Sequence, residues 1–476
     1  MYRFCYNTSI MKQKFYVTTA IDYVNGVIHI GHAYQKIVSD VLARYHRLSG
    51  NETFFLTGTD EHGGKSQQEA EKEGKTPKEY VDEISSKDKK EIDSLNISYD
   101  RFFRTTDEDH KKFVKEFYLK VKANRDIYKG EYKGLYCTGC EEYKTPNQIV
   151  DGKCPLHPSR KLEELKEENY FFKWSKYTDF LKDHIKKNKD FILPDSQRKN
   201  MLGFLKDGLE DIAISRPKEK ISWGIPVPDD ETQTIYVWFD ALINYLTYGD
   251  EKKCWPADIH VVGKDNVRWH ALLWPAMLKS AKYELPKTIY GHGFMTINGQ
   301  KISKSLGNVI QPTELVKEVG VDGARYFFIR YGPWTEDGDF TLEKIKDVYN
   351  ADLANGLGNL ISRVASLAEK SGLKFSTKEI NSIDAEIEIP FKELDINKSI
   401  ESIWDKIREL DQLINHKKVW ELKGSELKKV LTFLVDDIRQ ISYDLKPFLP
   451  ETSQKISDQF NKTGIKSGPG LFPRLK

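Results

Sequence analysis

Long apolar runs are missing from this chain. None approaches the ~18 residues that a membrane span needs, and the mean hydropathy is −0.59. Cysteine is scarce, with five in 476 residues. That odd, small count excludes a disulfide scaffold and points to a reducing, cytoplasmic compartment. Excess charge is missing too: 74 basic residues face 72 acidic ones, a net +2. No global field draws the chain to a polyanion, so such a partner must be met by local patches, and nothing suggests a membrane. There is no internal repeat and no low-complexity tract. Met1 to Ile10 is weakly basic but lacks an Arg-rich amphipathic pattern, which reads as a short tail with Met11 as an alternative start.

What is present is length enough for several domains. Phe15 to Thr19 reads as a buried strand, and a turn near Asn25-Gly26 follows. Ile37, Val41, Tyr45 and Leu48 then recur at helical spacing, and Glu52 to Thr57 supplies a second strand. This is a βαβ unit with polar clusters at the carboxyl ends of its strands, where open parallel sheets bind ligands. From about Arg125 to Pro217 short charged segments and a cysteine cluster read as an insertion. Ile259 to Gly263 and Thr288 to Tyr290 return as strands, and Asn298-Gly299 marks a hairpin within Met295 to Lys301. Beyond about Ile345 three amphipathic helices follow, centred on Leu360, Ile403 and Leu434, which predicts a helical bundle.

Three clusters carry chemistry. Cys137-x2-Cys140, thirteen residues, then Cys154-x2-His157 has the spacing of a structural Cys3His zinc site. Each short pair turns two ligands onto one ion, and four protein ligands leave no open position for catalysis. The alternatives are unrelated buried thiols, or a redox Cys-x-x-Cys, which would not need Cys154 and His157. His29-Ile30-Gly31-His32 sits at a strand-turn-helix junction, where ring nitrogens can donate to charge developing on a phosphate. Gly31 would allow close approach of a nucleotide. Lys301-Ile302-Ser303-Lys304-Ser305 follows the hairpin and precedes Gly307. Alone it is an exposed polar loop. Paired with the histidines, it is a doubly cationic loop able to neutralise departing pyrophosphate.

These two motifs resemble the HIGH and KMSKS marks of class I aminoacyl-tRNA synthetases. Within that class the chain is similar to the methionyl-tRNA synthetase family over nearly its whole length. The resemblance rests on Gly58-Thr59-Asp60-Glu61-His62-Gly63, Val237 to Tyr245, Gly263-Lys264-Asp265, Trp274 to Leu278, Asp337 to Phe340 and Asn355 to Leu360. It implies an α/β fold: a Rossmann-like parallel-sheet catalytic domain, a zinc-containing connective insertion and a C-terminal α-helical bundle. Expected bounds are 1–124 and 218–290 for the catalytic halves, 125–217 for the insertion, 291–345 for the lysine-loop linker and 346–476 for the bundle.

By the same resemblance, Asp60 and the carbonyl of Ile21 hold a methionine ammonium. Tyr23, Trp238, Ala241, Tyr245 and His270 line its side-chain pocket, where aromatic edges suit a polarizable thioether. His29, Gly31, His32, Lys301 and Lys304 bind ATP, with the two histidines and two lysines catalytic. Mg2+ accompanies ATP, without a dedicated protein ligand. In the bundle Asn359 and Arg363, about 110 to 130° from the apolar stripe, match anticodon-reading positions, with Trp420 as a stacking surface. Ile302 replaces a frequent Met, a volume-conserving swap. The chain stops after the bundle, which predicts a monomer.

The expected activity is methionine activation with ATP, then transfer to tRNA(Met). Rivals are another class I synthetase and a non-catalytic tRNA-binding paralogue. Synthetases for leucine, isoleucine and valine carry a larger insertion than these roughly 90 residues. A silent paralogue would not need His29, His32, Asp60, Lys301 and Lys304 together.

Overall fold

The computed structural model describes residues 13–140, 142–144, 148–302, 307–377 and 379–476. Lys304 lies outside the described residues. β1 (Lys14–Thr19) is buried along almost its whole length, as an interior strand of a parallel sheet must be. β2 (Asp22–Tyr23) continues after a break, then α1 (Ile30–Leu48) and β3 (Glu52–Asp60) complete the expected βαβ unit. α2 (Gly64–Lys72) and α3 (Pro77–Asp93) lead to β4 (Arg101–Arg104) and α4 (Glu108–Ala123). Thr76 and Glu79 cap α3 reciprocally with Pro77 at its first position.

β5 (Ile127–Cys137), β6 (Glu142–Lys144) and β7 (Glu163–Phe172) form the antiparallel sheet of the insertion. α5 (Thr178–Lys187), β8 (Ile192–Leu193), α6 (Asp195–Phe204) and β9 (Ile212–Ala213) follow. Here the structure departs from the expected bounds. Ile192–Leu193 falls inside 125–217 yet pairs in parallel with Ile289 and Tyr290, as the edge strand of the catalytic sheet. Two residues are too few to show strand alternation, so a partner far downstream decides their place. β10 (Ser215–Pro217), β11 (Pro226–Val227) and β12 (Asp230–Ile235) build a small sheet across the 217/218 boundary.

α7 (Val237–Ala241) and α8 (Asn244–Glu251) precede β13 (Ile259–Gly263), α9 (Trp274–Ala281) and β14 (Thr288–His292). The hairpin of β15 (Met295–Ile297) and β16 (Gln300–Lys301) turns through Asn298 and Gly299, both with positive φ, as a type I′ turn requires. α10 (Pro312–Tyr331), β17 (Gly338–Phe340) and α11 (Leu342–Val348) follow, with β17 parallel to β15. The bundle comprises α12 (Asn359–Ser371), α13 (Ala385–Lys392), α14 (Ile396–His416), α15 (Gly424–Asp444) and α16 (Pro450–Phe460). Sequence periodicity found α12, α14 and α15. The shorter α13 and α16 have too few turns to stand out.

The central sheet runs β2–β3–β1–β13–β14–β8, with β4 also on β3, and every pairing is parallel. The chain leaves β1 toward β3 on one side and returns to β13 on the other, which opens a crevice at the carboxyl ends. One apolar core runs unbroken from α1 through α10 into the bundle. No gap in packing therefore marks the expected 290/291 and 345/346 boundaries.

Inside that core Asp40 of α1 and Arg325 of α10 form an ion pair 2.7 Å apart, with both side chains fully buried. Arg325 also donates to the carbonyls of Leu95, Pro447 and Phe448. Burial alone would raise the Asp40 carboxyl, but Arg325 and Arg44 outweigh it and hold it below its ordinary value. Removing Arg325 leaves Asp40 with Arg44, 2.7 Å away, but strips the carbonyls of Leu95, Pro447 and Phe448 of their donor, and a buried group left unsatisfied costs about 1–3 kcal/mol. Arg325→Ala should lower the denaturant midpoint accordingly in equilibrium unfolding. An unfolding free energy within about 0.5 kcal/mol of the parent would show that the pair is not a keystone.

Candidate active site and metal centre

A cleft of about 460 Å³ opens at the carboxyl ends of the central strands. Its walls come from Ala20 to Tyr23 after β1, Asp60 at the end of β3, Gly263 to Asn266 after β13, and His292 to Met295 after β14. Ile21, Tyr23, His29, Gly31, His32, Asp60, Trp238, Ala241, Tyr245, His270 and Lys301 all line it. Sequence motifs separated by hundreds of residues thus share one wall-to-wall space.

His29 is the N-cap of α1. Its Nδ1 accepts from the Gly31 amide at 3.1 Å, and the His32 Nδ1 accepts from the His29 amide at 3.3 Å. This is a reciprocal capping box made of imidazoles, with ring centroids 4.0 Å apart. Because both Nδ1 atoms accept, neutral rings carry their protons on Nε2. They can present two N–H donors at a helix N-terminus, where an anion is favoured. Gly31 also has a reason within the fold. A Cβ there would meet His29 Cε1 at 2.9 Å and Nδ1 at 3.0 Å, so glycine makes room for the His29 cap itself.

The lysine motif is anchored to the same turn from both ends. The buried Ile302 reaches Gly31, its Cδ1 3.6 Å from where a Cβ would stand. The Ile30 amide donates to the Ile310 carbonyl at 3.0 Å, and Asn308 donates to the Lys301 carbonyl at 3.1 Å. Lys301 Nζ lies 5.7 Å from the centroid of the Phe294 ring.

Across the cleft Trp238 stacks on Trp269 at 4.7 Å. His270 Nδ1 lies 2.8 Å from the Asn266 carbonyl, which can only accept, so its Nε2 accepts the Tyr245 hydroxyl at 2.8 Å. Burial pushes His270 down to about 4, which keeps the ring neutral. Asp60 sits opposite Tyr23 in the β2–β3 register. Below, Asp22 pairs with the fully buried Lys36 at 2.5 Å. Sequence reasoning missed Trp269, His292, Phe294 and Lys65, which also line the cleft. Lys65 stands 5.4 Å from the Tyr23 ring centroid. Its only sequence clue was its place just after the Asp60 motif. His292 was hidden at the end of a strand read as stopping at Tyr290.

Cys137, Cys140, Cys154 and His157 converge, with all ligand atoms within 4.8 Å of one another. Cys140 Sγ lies 3.5 Å from Cys154 Sγ and 3.3 Å from His157 Nδ1, and Cys137 Sγ lies 3.8 Å from that nitrogen. Metal–ligand bonds of about 2.0–2.3 Å in a tetrahedron give edges of this size, so the four residues could hold one metal ion. The turns are closed by the Cys140 amide on the Cys137 carbonyl and the His157 amide on the Cys154 carbonyl. Gly139 is required by contact: a Cβ there would fall 2.4 Å from His157 Cγ. Gly139, Cys140, Leu156 and His157 also line the cleft. The cluster therefore builds part of the site's wall besides holding the insertion together.

In the bundle, Asn359 opens α12 and is exposed. Arg363 is not a free surface charge. It pairs with Asp411 at 2.5 Å and donates to Asn415 Oδ1 at 2.8 Å, both on the last turns of α14. Trp420, 54% exposed, follows α14 a few residues on.

The sequence profile of the family described as tRNA synthetases class I (M) matches residues 15–164 and 158–365. The chain is 46% identical to the methionine–tRNA ligase of Clostridium acetobutylicum over 98% of its own length and 78% of the relative's. It is 42% identical to that of Thermotoga maritima, covering 93% of this chain and 74% of the other. Mycobacterium tuberculosis methionyl-tRNA synthetase in complex with methionyl-adenylate superposes with a TM-score of 0.88 at 35% identity, covering 97% of this chain and all of that one. The fold and cleft are those of a class I synthetase. The chain belongs to the methionine branch of that family.

The imidazole cap can be tested without substrate. Nitrogen-15 spectra of His29 and His32 should show neutral rings with unprotonated Nδ1. In Gly31→Ala the His29 pattern should be lost, with about 0.5–2 kcal/mol of stability, the size of a lost helix cap. Nδ1-protonated rings in the parent protein would refute the arrangement.

Proposed function

We propose that this chain activates L-methionine with ATP, forming methionyl-adenylate and pyrophosphate, and then charges tRNA(Met). The observation that carries this reading is the convergence of both motifs and the aromatic pocket on one cleft. Relatives named methionine–tRNA ligase support it, as does the likeness to a synthetase solved with methionyl-adenylate.

In this reading Asp60 and the Ile21 carbonyl hold the ammonium, while Tyr23, Trp238, Ala241, Tyr245 and His270 enclose the thioether side chain. Methionine's carboxylate is already a nucleophile, so no covalent enzyme intermediate and no general base is needed. It attacks the α-phosphorus of ATP, a P–O bond forms, and the bond to pyrophosphate breaks. The Nε2–H groups of His29 and His32 donate to charge that grows in the transition state, where such donors count most. Lys301 and Lys304 neutralise the departing pyrophosphate. Catalysis is positioning plus charge stabilisation. Mg2+ would travel with ATP and supply further charge neutralisation to its phosphates.

The Cys137, Cys140, Cys154 and His157 set suits Zn2+, with three thiolates and one imidazole. Among the described residues all four cysteines are free, consistent with a cytoplasmic setting that keeps them reduced. Asn359, Arg363 and Trp420 are assigned to the anticodon. Arg363 would meet bases from its place beside Asp411, already fixed in direction.

Pyrophosphate exchange into ATP, run with each amino acid in turn, tests the activity. Exchange should require methionine. Exchange driven by another amino acid would move the specificity, and none with folded protein would leave a binding paralogue. Elemental analysis should find one zinc per chain, and Cys154→Ser should lose it. Full metal in that variant would overturn the assignment.

A further inference from the structure

Two family motifs contain residues that the cleft does not use. Of Asp60-Glu61-His62 only Asp60 lines it, and of the segment Val237 to Ala241, Asp240 does not. Glu61 is fully buried and held by Arg104 at 2.6 and 2.9 Å, by Thr59, and by Thr106. His62 turns the other way. Its Nδ1 lies 2.6 Å from Asp240 Oδ2, while His110 Nε2 from the first turn of α4 lies 2.8 Å from Asp240 Oδ1. All three side chains are buried.

The cluster is fixed from every side. His110 Nδ1 meets Thr247 Oγ1 of α8 at 3.0 Å and its ring stands edge-on to Phe103 of β4. The His62 ring meets Trp223, whose Nε1 donates to the Glu61 carbonyl at 2.6 Å. Burial alone would raise Asp240, but His62 and the hydrogen bonds from both histidines hold it at about 2. The carboxylate is therefore ionised, and a buried ionised carboxylate demands partners that stay in place.

α7 needs such an anchor. It has five residues and no side-chain cap, too short to define its own position. Trp238 and Ala241 lie on its cleft side, while Asp240 sits about 200° around the helix from Trp238. The carboxylate thus reaches back to the loop that carries Asp60.

We propose that Asp240, clamped by His62 and His110, is a positioning residue that sets the spacing between Asp60 and the Trp238–Ala241 wall. It thereby governs affinity for the amino acid and leaves the nucleotide half of the site alone. This rests on the proposed methionine activation.

The test is steady-state pyrophosphate exchange with methionine and ATP varied separately. Asp240→Asn keeps the volume but removes the charge. It should raise the methionine KM about tenfold or more, with kcat and the ATP KM within about threefold, the pattern of lost ground-state binding. His62→Leu should do the same. His62→Asn, whose amide nitrogen can replace Nδ1, should restore the methionine KM to within about threefold of the parent. The pair at His62 decides the matter alone if Asp240→Asn does not fold, as read by circular dichroism. An unchanged methionine KM in folded His62→Leu, or equal losses for ATP and methionine, would overturn the positioning role. Failure of the parent protein to exchange with methionine would instead strike the functional reading.

Discussion

The buried contact between Asp40 and Arg325 governs how the parts of this protein meet. Asp40 lies on α1, the helix whose first turn carries His29 and His32. Arg325 lies on α10, which follows the lysine motif, and its other donors reach the bundle at Pro447 and Phe448. One guanidinium on α10 of the linker therefore satisfies acceptors from the catalytic sheet layer and from the bundle. A fully buried arginine can persist only where its donors are met, so the three elements keep one relative placement.

The cleft inherits that placement. Both ends of the lysine segment attach to the first turn of α1, through Ile302 at Gly31 and the Ile310 carbonyl on Ile30. The described residues on either side of Lys304 are thus built onto the turn that carries the histidines. On the opposite side the same economy recurs in Asp60-Glu61-His62. Three successive residues point into the cleft, into the Arg104 pocket and toward Asp240, so one short stretch supplies a wall of the cleft and two contacts behind it.

The metal cluster is more closely bound to the site than its spacing implies. Four ligands exclude open-position chemistry, yet Cys140 and His157 line the cleft. Ordering that knuckle shapes a wall of the binding space.

Pocket residues such as Trp238 and Tyr245 were legible only through the family resemblance; by itself the sequence determined the local features: strand β1, helix α1, the hairpin turn at Asn298-Gly299 and the ligand spacing. Each is written in short-range chemistry, in periodicity, turn residues and spacing that need no partner to be read. Tertiary structure alone decided the rest. The two-residue β8 belongs to the catalytic sheet because Ile289 and Tyr290 accept it, not because of its own pattern. Gly31 is glycine because a ring folds back over it, and Arg363 is held because Asp411 arrives from another helix. His62, His110 and Asp240 stand far apart in the chain, and their joint role comes into being only where burial forces an ionised carboxylate to find its donors.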